Sequence, residues 1–112
     1  MDYICPNMNL DISFGETIKK LRKNRQLPLR EVADALNIDT SMLGKIEKNS
    51  RKPTKQLIGK IAKFFNVNHK DLLITFLSDT VAYQVMDEED SAIKVLKVAE
   101  KKVKYLKTKK TS

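Results

Sequence analysis

Cysteine and histidine are almost absent from this sequence, and tryptophan is missing. The 112 residues contain one cysteine, Cys5, and one histidine, His69. A single cysteine cannot close an intrachain disulfide, and one Cys with one His cannot supply the ligands of a zinc site. General acid/base or nucleophilic catalysis needs several convergent groups, which these two residues do not provide. We therefore expect a non-enzymatic protein of the reducing cytoplasm, with no metal and no cofactor.

Glycine, proline and long apolar stretches are also scarce. Three Gly and three Pro, with 41% hydrophobic and 32% charged residues, are typical of a soluble all-α protein rather than a β-sandwich or a disordered chain. No stretch approaches the ~20 apolar residues of a membrane span, so we expect no membrane partner. The N-terminus also lacks the order of charged and apolar residues found in a secretion signal.

Positive charge is concentrated in the middle of the chain. The net charge is +8, and residues 13–77 hold 14 Lys or Arg against 6 Asp or Glu, whereas residues 78–112 hold 8 against 6. This excess favours a polyanionic partner, although many basic proteins bind no nucleic acid.

Helical periodicity divides the chain into three regions. Residues 1–12 show no periodicity and predict a flexible N-terminal arm, in which Met8 is an alternative start to Met1. Residues 13–77 predict a domain of five helices, the first three at about 14–25, 28–36 and 40–48. Residues 78–112 predict a C-terminal helical extension. The residues that mark the five helix starts are Ser13 with Glu16, Pro28, Asp39, Thr54 and Asn68.

Residues 28–48 have the pattern of two short helices joined by a tight turn, PLREVADALNIDTSMLGKIEK. Ala33 is small enough for the two helices to approach closely, and Asn37 tolerates the left-handed backbone that such a turn requires. The matching residues are Leu27, Val32, Ala33, Leu36 to Asp39, Ser41, Leu43, Ile46, Glu47 and Arg51 to Pro53. In these positions the sequence resembles the phage repressor and Cro type of helix-turn-helix, called the XRE family.

The resemblance covers residues 13–77 and implies a transcriptional regulator that binds double-stranded DNA as a homodimer. It places the recognition helix, at about 40–48, in the major groove. The implied base-contacting residues are Thr40, Ser41, Gly44 and Lys45. The implied phosphate-contacting residues are Arg30, Lys48, Asn49, Arg51 and Lys52. The resemblance also implies an internal ion pair between Arg22 and Glu47.

The sequence departs from the family at the start of the second helix. Pro28 and Leu29 stand where the family commonly has Ser or Thr followed by Gln. Pro28 has no N–H to offer a phosphate, and Leu29 cannot make the contacts of a glutamine side chain. The family's phosphate contact at the start of this helix is therefore not carried over, and Arg30 and later amides can partly replace it.

The last helix has an apolar seam, which we predict to be the dimer contact. The seam consists of Ile93, Leu96, Ala99, Val103 and Leu106, with lysines largely outside it. Two alternatives remain open. The seam can pack within one chain against Phe76, Val81 and Val85, or residues 78–112 can bind a protein partner, as in an antitoxin that represses its own promoter. Among regulators, small repressors and the controller proteins of restriction–modification systems are similar in the segment Asp39 to Ser41 and in length.

Overall fold

The computed structural model describes residues 12–111, and all regular structure within this range is helical. Six helices occur there: α1 Phe14–Asn24, α2 Leu29–Leu36, α3 Thr40–Glu47, α4 Lys55–Phe65, α5 His69–Val85 and α6 Ala92–Thr111. The predicted all-α class, with five helices and a helical extension, is confirmed. The predicted N-terminal arm lies outside the described residues except for Ile12. The chain divides into two compact units, one ending at Asp79 and the other beginning at Thr80.

Side-chain caps explain why three of the helices begin where they do. Ser13 and Glu16 form a reciprocal capping box at the start of α1, with hydrogen bonds of 3.2 and 3.1 Å. The hydrogen bonds with Ser13 lower the pKa of Glu16. Thr54 accepts the amide of Leu57 at 3.1 Å, and Asn68 accepts that of Asp71 at 3.0 Å. These three predicted starts are confirmed, because each depends on residues close together in sequence.

The second helix begins one residue later than predicted. Pro28 is the N-cap of α2, with φ −71° and ψ 155°, rather than its first helical residue. Its carbonyl accepts the amides of Glu31 and Val32, so the helix already uses Pro28 as an acceptor while the proline backbone stays extended.

Side-chain-bearing residues, rather than glycines, occupy the left-handed positions that follow the helices. Asn37 has φ 60° and ends α2 as predicted, and Asn66 has φ 55° and ends α4. Gln26 and Asn49 also have positive φ, and no glycine in the described part of the chain does. Asn37 turns the chain directly from α2 into the segment that leads to α3.

The core of the first unit consists of the apolar faces of α1 to α5. Its largest fully buried apolar side chains are Ile18, Val32, Leu43, Ile46, Ile58, Ile61, Phe65 and Leu72. Burying one such side chain contributes roughly 1.5–3 kcal/mol. Ala33 is fully buried between the helices, and the Phe14 and Phe76 rings meet edge to face at 5.4 Å, which joins α1 to α5.

A bidentate ion pair joins α1 to the end of α3. Nε of Arg22 donates to Oε2 of Glu47 at 2.8 Å, and Nη2 donates to Oε1 at 3.0 Å. The two side chains are only 12% and 5% exposed. The hydrogen bonds that the guanidinium donates to Glu47 raise the pKa of Arg22. Nη1 of Arg22 also donates to the Leu27 carbonyl at 2.9 Å, so one guanidinium fixes α1, α3 and the approach to α2.

The first amides of α1 are satisfied by side chains from distant segments. Oδ2 of Asp79, in α5, accepts the amide of Phe14 at 2.7 Å. Oδ1 of Asn49, just after α3, accepts the amide of Gly15 at 2.9 Å, while its Nδ2 donates to Ser13 Oγ at 2.8 Å. The N-terminus of α1 therefore holds both the segment after α3 and the last turn of the first unit.

The ion pair predicts a large stability loss when one partner is neutralised. Glu47→Gln should lower the free energy of unfolding by about 3 kcal/mol, because the change leaves a largely buried guanidinium without its counter-ion. Thermal or urea unfolding would measure it. Glu100→Gln is the control, since Glu100 faces Lys104 at 3.9 Å with both side chains at least 70% exposed. Equal melting temperatures for wild type and Glu47→Gln would contradict a stabilising role.

Gly15 predicts a second effect on stability, through space rather than charge. A Cβ at Gly15 would lie 2.6 Å from the carbonyl oxygens of Ile46 and Glu47 and 2.5 Å from Oδ1 of Asn49. Because backbone must then move, Gly15→Ala should destabilise the domain by about 1–3 kcal/mol. At Gly59 a Cβ would meet only the His69 ring, at 3.7 Å. Gly59→Ala, measured in the same unfolding experiment, should instead raise the free energy of unfolding by up to ~1 kcal/mol. If Gly15→Ala leaves the free energy of unfolding unchanged or raises it, the close approach at Gly15 is relaxed in solution.

Candidate nucleic-acid interface

One face of α3 is anchored in the core, and the other is polar and accessible. Leu43, Ile46 and Glu47 are buried. On the other side, Ser41 and Lys45 are exposed, and Thr40 and Gly44 are half-buried. These four predicted base-contacting residues follow the spacing i, i+1, i+4, i+5, which places them on a common helical face. The helix thus presents small polar groups and one ammonium from a scaffold fixed by the ion pair.

Cations without internal partners follow α3. Lys48, Arg51 and Lys52 are all exposed, and Arg30 is exposed near the start of α2. None of these four side chains forms a hydrogen bond or ion pair with another residue in the described range. They are therefore free to contact an anion. Electrostatically, this end of α3 is suited to a phosphate backbone.

Asn49 occupies a different environment from these cations. Both polar atoms of its side-chain amide are engaged, one with Gly15 and one with Ser13. Its backbone amide donates to the Ile46 carbonyl at 3.0 Å. The structure therefore gives Asn49 a positioning role at the end of α3, beside its predicted phosphate contact.

Two residues near α3 are not among the candidate site residues predicted from the sequence. Gly15 allows α1 to approach the end of α3. Leu29 is half-buried, and its Cδ2 lies 3.5 Å from the position that a Cβ of Gly44 would occupy. The sequence feature that could have pointed to Leu29 is its position directly after Pro28, because that position lies in the first turn of α2.

The predicted dimer seam on α6 is largely uncovered. Ile93, Val103 and Leu106 are 65%, 51% and 60% exposed, and Leu96 is 36% exposed. Ala99 is half-buried. Within the first unit, the Phe76 ring packs on Phe14. The seam therefore has apolar surface available for a partner.

The described part of the chain offers neither a metal site nor a membrane span. No group of three potential ligands among His, Cys, Asp and Glu comes together within residues 12–111. Over the same range, no helix combines the length and the apolar character needed to cross a bilayer.

Comparison with known proteins identifies the helix-turn-helix segment. The helix-turn-helix family HTH_3 matches residues 18–72. The HTH-type transcriptional regulator SutR of Escherichia coli is 39% identical over 59 residues, which are 53% of this chain and 33% of SutR. Multiprotein-bridging factor 1 of Debaryomyces hansenii is 25% identical over 67 residues, which are 60% of this chain and 45% of that protein. The chain thus covers less than half the length of either relative.

A solved structure shows the same fold. The clp gene regulator ClgR from Corynebacterium glutamicum superposes with a TM-score of 0.53 at 20% identity, covering 79% of this chain and 93% of that one. At this identity the likeness concerns the fold alone. The family match, in turn, shows that residues 18–72 form a helix-turn-helix domain of the XRE type, the type found in DNA-binding transcriptional regulators, and the geometry of α2 and α3 agrees with it.

Proposed function

We propose that this protein is a cytoplasmic transcriptional regulator that binds double-stranded DNA sequence-specifically as a homodimer, with α3 in the major groove. The observation that carries the proposal is the accessible polar face of α3, which is followed by cations without internal partners and held by the buried Arg22–Glu47 pair. A major groove about 12 Å wide admits one helix, and a fixed helix keeps its side chains in register with the bases.

Base selection is assigned to the four residues on the open face of α3. The Lys45 ammonium donates to acceptors such as guanine O6 and N7, whereas the Thr40 and Ser41 hydroxyls donate or accept. Gly44 leaves space for close approach of the helix backbone to the bases, and its lack of a side chain costs the isolated helix about 1 kcal/mol relative to Ala.

Contacts with the phosphate backbone of DNA are assigned to Arg30, Lys48, Arg51 and Lys52. Such contacts fix the register of the protein on the duplex without encoding sequence. Asn49 supports them by fixing the turn after α3 to the start of α1, and its exposed side chain retains the predicted phosphate contact as part of the proposal.

Dimerisation is assigned to the seam on α6. One recognition helix contacts only a few base pairs, so selective binding needs two copies separated by about 34 Å along the duplex. A two-fold axis through a self-complementary surface provides that arrangement. The exposed side chains of Ile93, Val103 and Leu106 supply apolar area of the kind that a second copy would bury.

DNA binding predicts two distinguishable classes of variant. Lys45→Ala should relax preference at one base pair, with a loss of discrimination of about 1–3 kcal/mol. Arg51→Ala and Lys52→Ala should weaken binding to all sequences and reduce the slope of log K against log salt by about 0.9 each. Selection from a random duplex library followed by salt titrations of each variant would measure both effects.

The control for this panel is Lys60→Ala. Lys60 is exposed beside Asn37, at the end of α2 opposite to Arg30, so its removal should leave selection and salt slope nearly unchanged. A library that yields no enriched sequence at moderate salt would contradict the proposed function.

The seam predicts a change of oligomeric state in the full-length chain. Leu96→Glu combined with Val103→Glu should convert a dimer into the 12.9 kDa monomer in sedimentation equilibrium. Affinity for a duplex with two half-sites should fall, while affinity for a single half-site should not. Lys97→Glu alters the net charge by the same amount outside the seam and should leave the dimer intact. A dimer that survives the double substitution would assign the contact to another surface.

A further inference from the structure

An apolar side chain lies beside Gly44, the residue without a side chain in the middle of α3. Leu29 is the first residue of α2 and is half-buried, and its Cδ2 lies 3.5 Å from the position of a hypothetical Gly44 Cβ. That distance is an ordinary van der Waals contact, so the fold itself does not require glycine at position 44. Gly44 adds no side chain over Leu29, which stays partly exposed.

Polar groups surround this apolar spot. Thr40 and Ser41 precede Gly44 by four and three residues and therefore share its helical face, and Lys45 is its exposed neighbour. A ligand that fits must present a small apolar group within a pattern of hydrogen-bonding atoms. On base edges in the major groove, the C5-methyl group of a pyrimidine has this character.

We propose that Leu29 and Gly44 together form a contact for the C5-methyl group of a pyrimidine, which makes Leu29 a specificity-determining residue. This inference rests on the proposed placement of α3 in the major groove. Gly44 lets the base edge approach the helix, and the Leu29 side chain covers the methyl group from the side of α2. In unmodified DNA the methyl group is that of thymine, and 5-methylcytosine presents the same group.

The expected size of the effect follows from burying one carbon. Removing a buried methyl or methylene group costs about 0.8 kcal/mol, which corresponds to about a fourfold change in affinity. A fourfold change at one base position is measurable by equilibrium titration. It is also small enough to leave binding to the rest of the site intact.

The experiment uses the full-length protein and the duplex enriched by library selection. Each thymine of one half-site is replaced singly by deoxyuracil, which removes only the methyl group. Wild type should lose about fourfold in affinity at one position, and Leu29→Ala should bind the thymine and uracil duplexes equally at that position. This double-mutant cycle isolates the contact from general effects of either change. Leu29→Asn, which keeps the length and branching of the side chain but replaces its methyl groups by an amide, serves as a second variant if Leu29→Ala does not fold.

Ile74→Ala is the matched control, because Ile74 is an aliphatic residue of the same unit, 47% exposed on α5. Ile74→Ala should keep the wild-type ratio of affinities for the thymine and uracil duplexes. In a second arm, single cytosines of the half-site are methylated at C5. If methylation raises the affinity of wild type but not of Leu29→Ala, and no uracil substitution lowers it, the contact is supported and its methyl group is that of 5-methylcytosine. If a site is enriched but the methyl group has no effect on affinity, or has the same effect on wild type and Leu29→Ala, this inference is overturned while the proposed function stands. Failure to enrich any sequence removes the proposed function and this inference together.

Discussion

The position of α3 depends on one guanidinium group. Arg22 contacts both carboxylate oxygens of Glu47, the last residue of α3, and also the Leu27 carbonyl before α2. A buried ion pair stabilises a fold only when its geometry offsets the cost of desolvating both charges, and the bidentate arrangement meets that requirement. The other end of α3 is held by the turn at Asn37, so the helix is fixed at both ends while Ser41 and Lys45 on its outer face stay exposed.

The sequence predicts those parts of this architecture that depend on neighbouring residues. Ser13, Thr54 and Asn68 each cap a helix through an amide three residues away, and a short window of sequence contains all the relevant atoms. Asn37 is predictable for the same reason, since only a few residue types tolerate its backbone conformation. Pro28 shows the limit of such rules, because proline suits both the N-cap and the next position, and only the observed ψ distinguishes them.

Contacts between distant segments could not be predicted in the same way. Nothing near Asp79 in the sequence indicates that it accepts the amide of Phe14, 65 residues earlier. The engagement of Asn49 with Ser13 and Gly15 and the position of Leu29 beside Gly44 likewise depend on how helices pack. For the candidate site, the pattern indicates which residues share a helical face. The packing determines which of them are free to bind a ligand.

The distribution of glycine has a consequence for the unfolded state. In the described residues, Gly15, Gly44 and Gly59 all lie within helices, while Gln26, Asn37, Asn49 and Asn66 hold the left-handed positions. A side chain at a left-handed position strains the native backbone, but it also narrows the conformations that the unfolded chain can sample. The turns thus lose less backbone entropy on folding than glycine turns would. The extra flexibility of glycine is confined to helical positions, one of which, Gly15, lies where the Ile46 and Glu47 carbonyl oxygens leave no room for a Cβ.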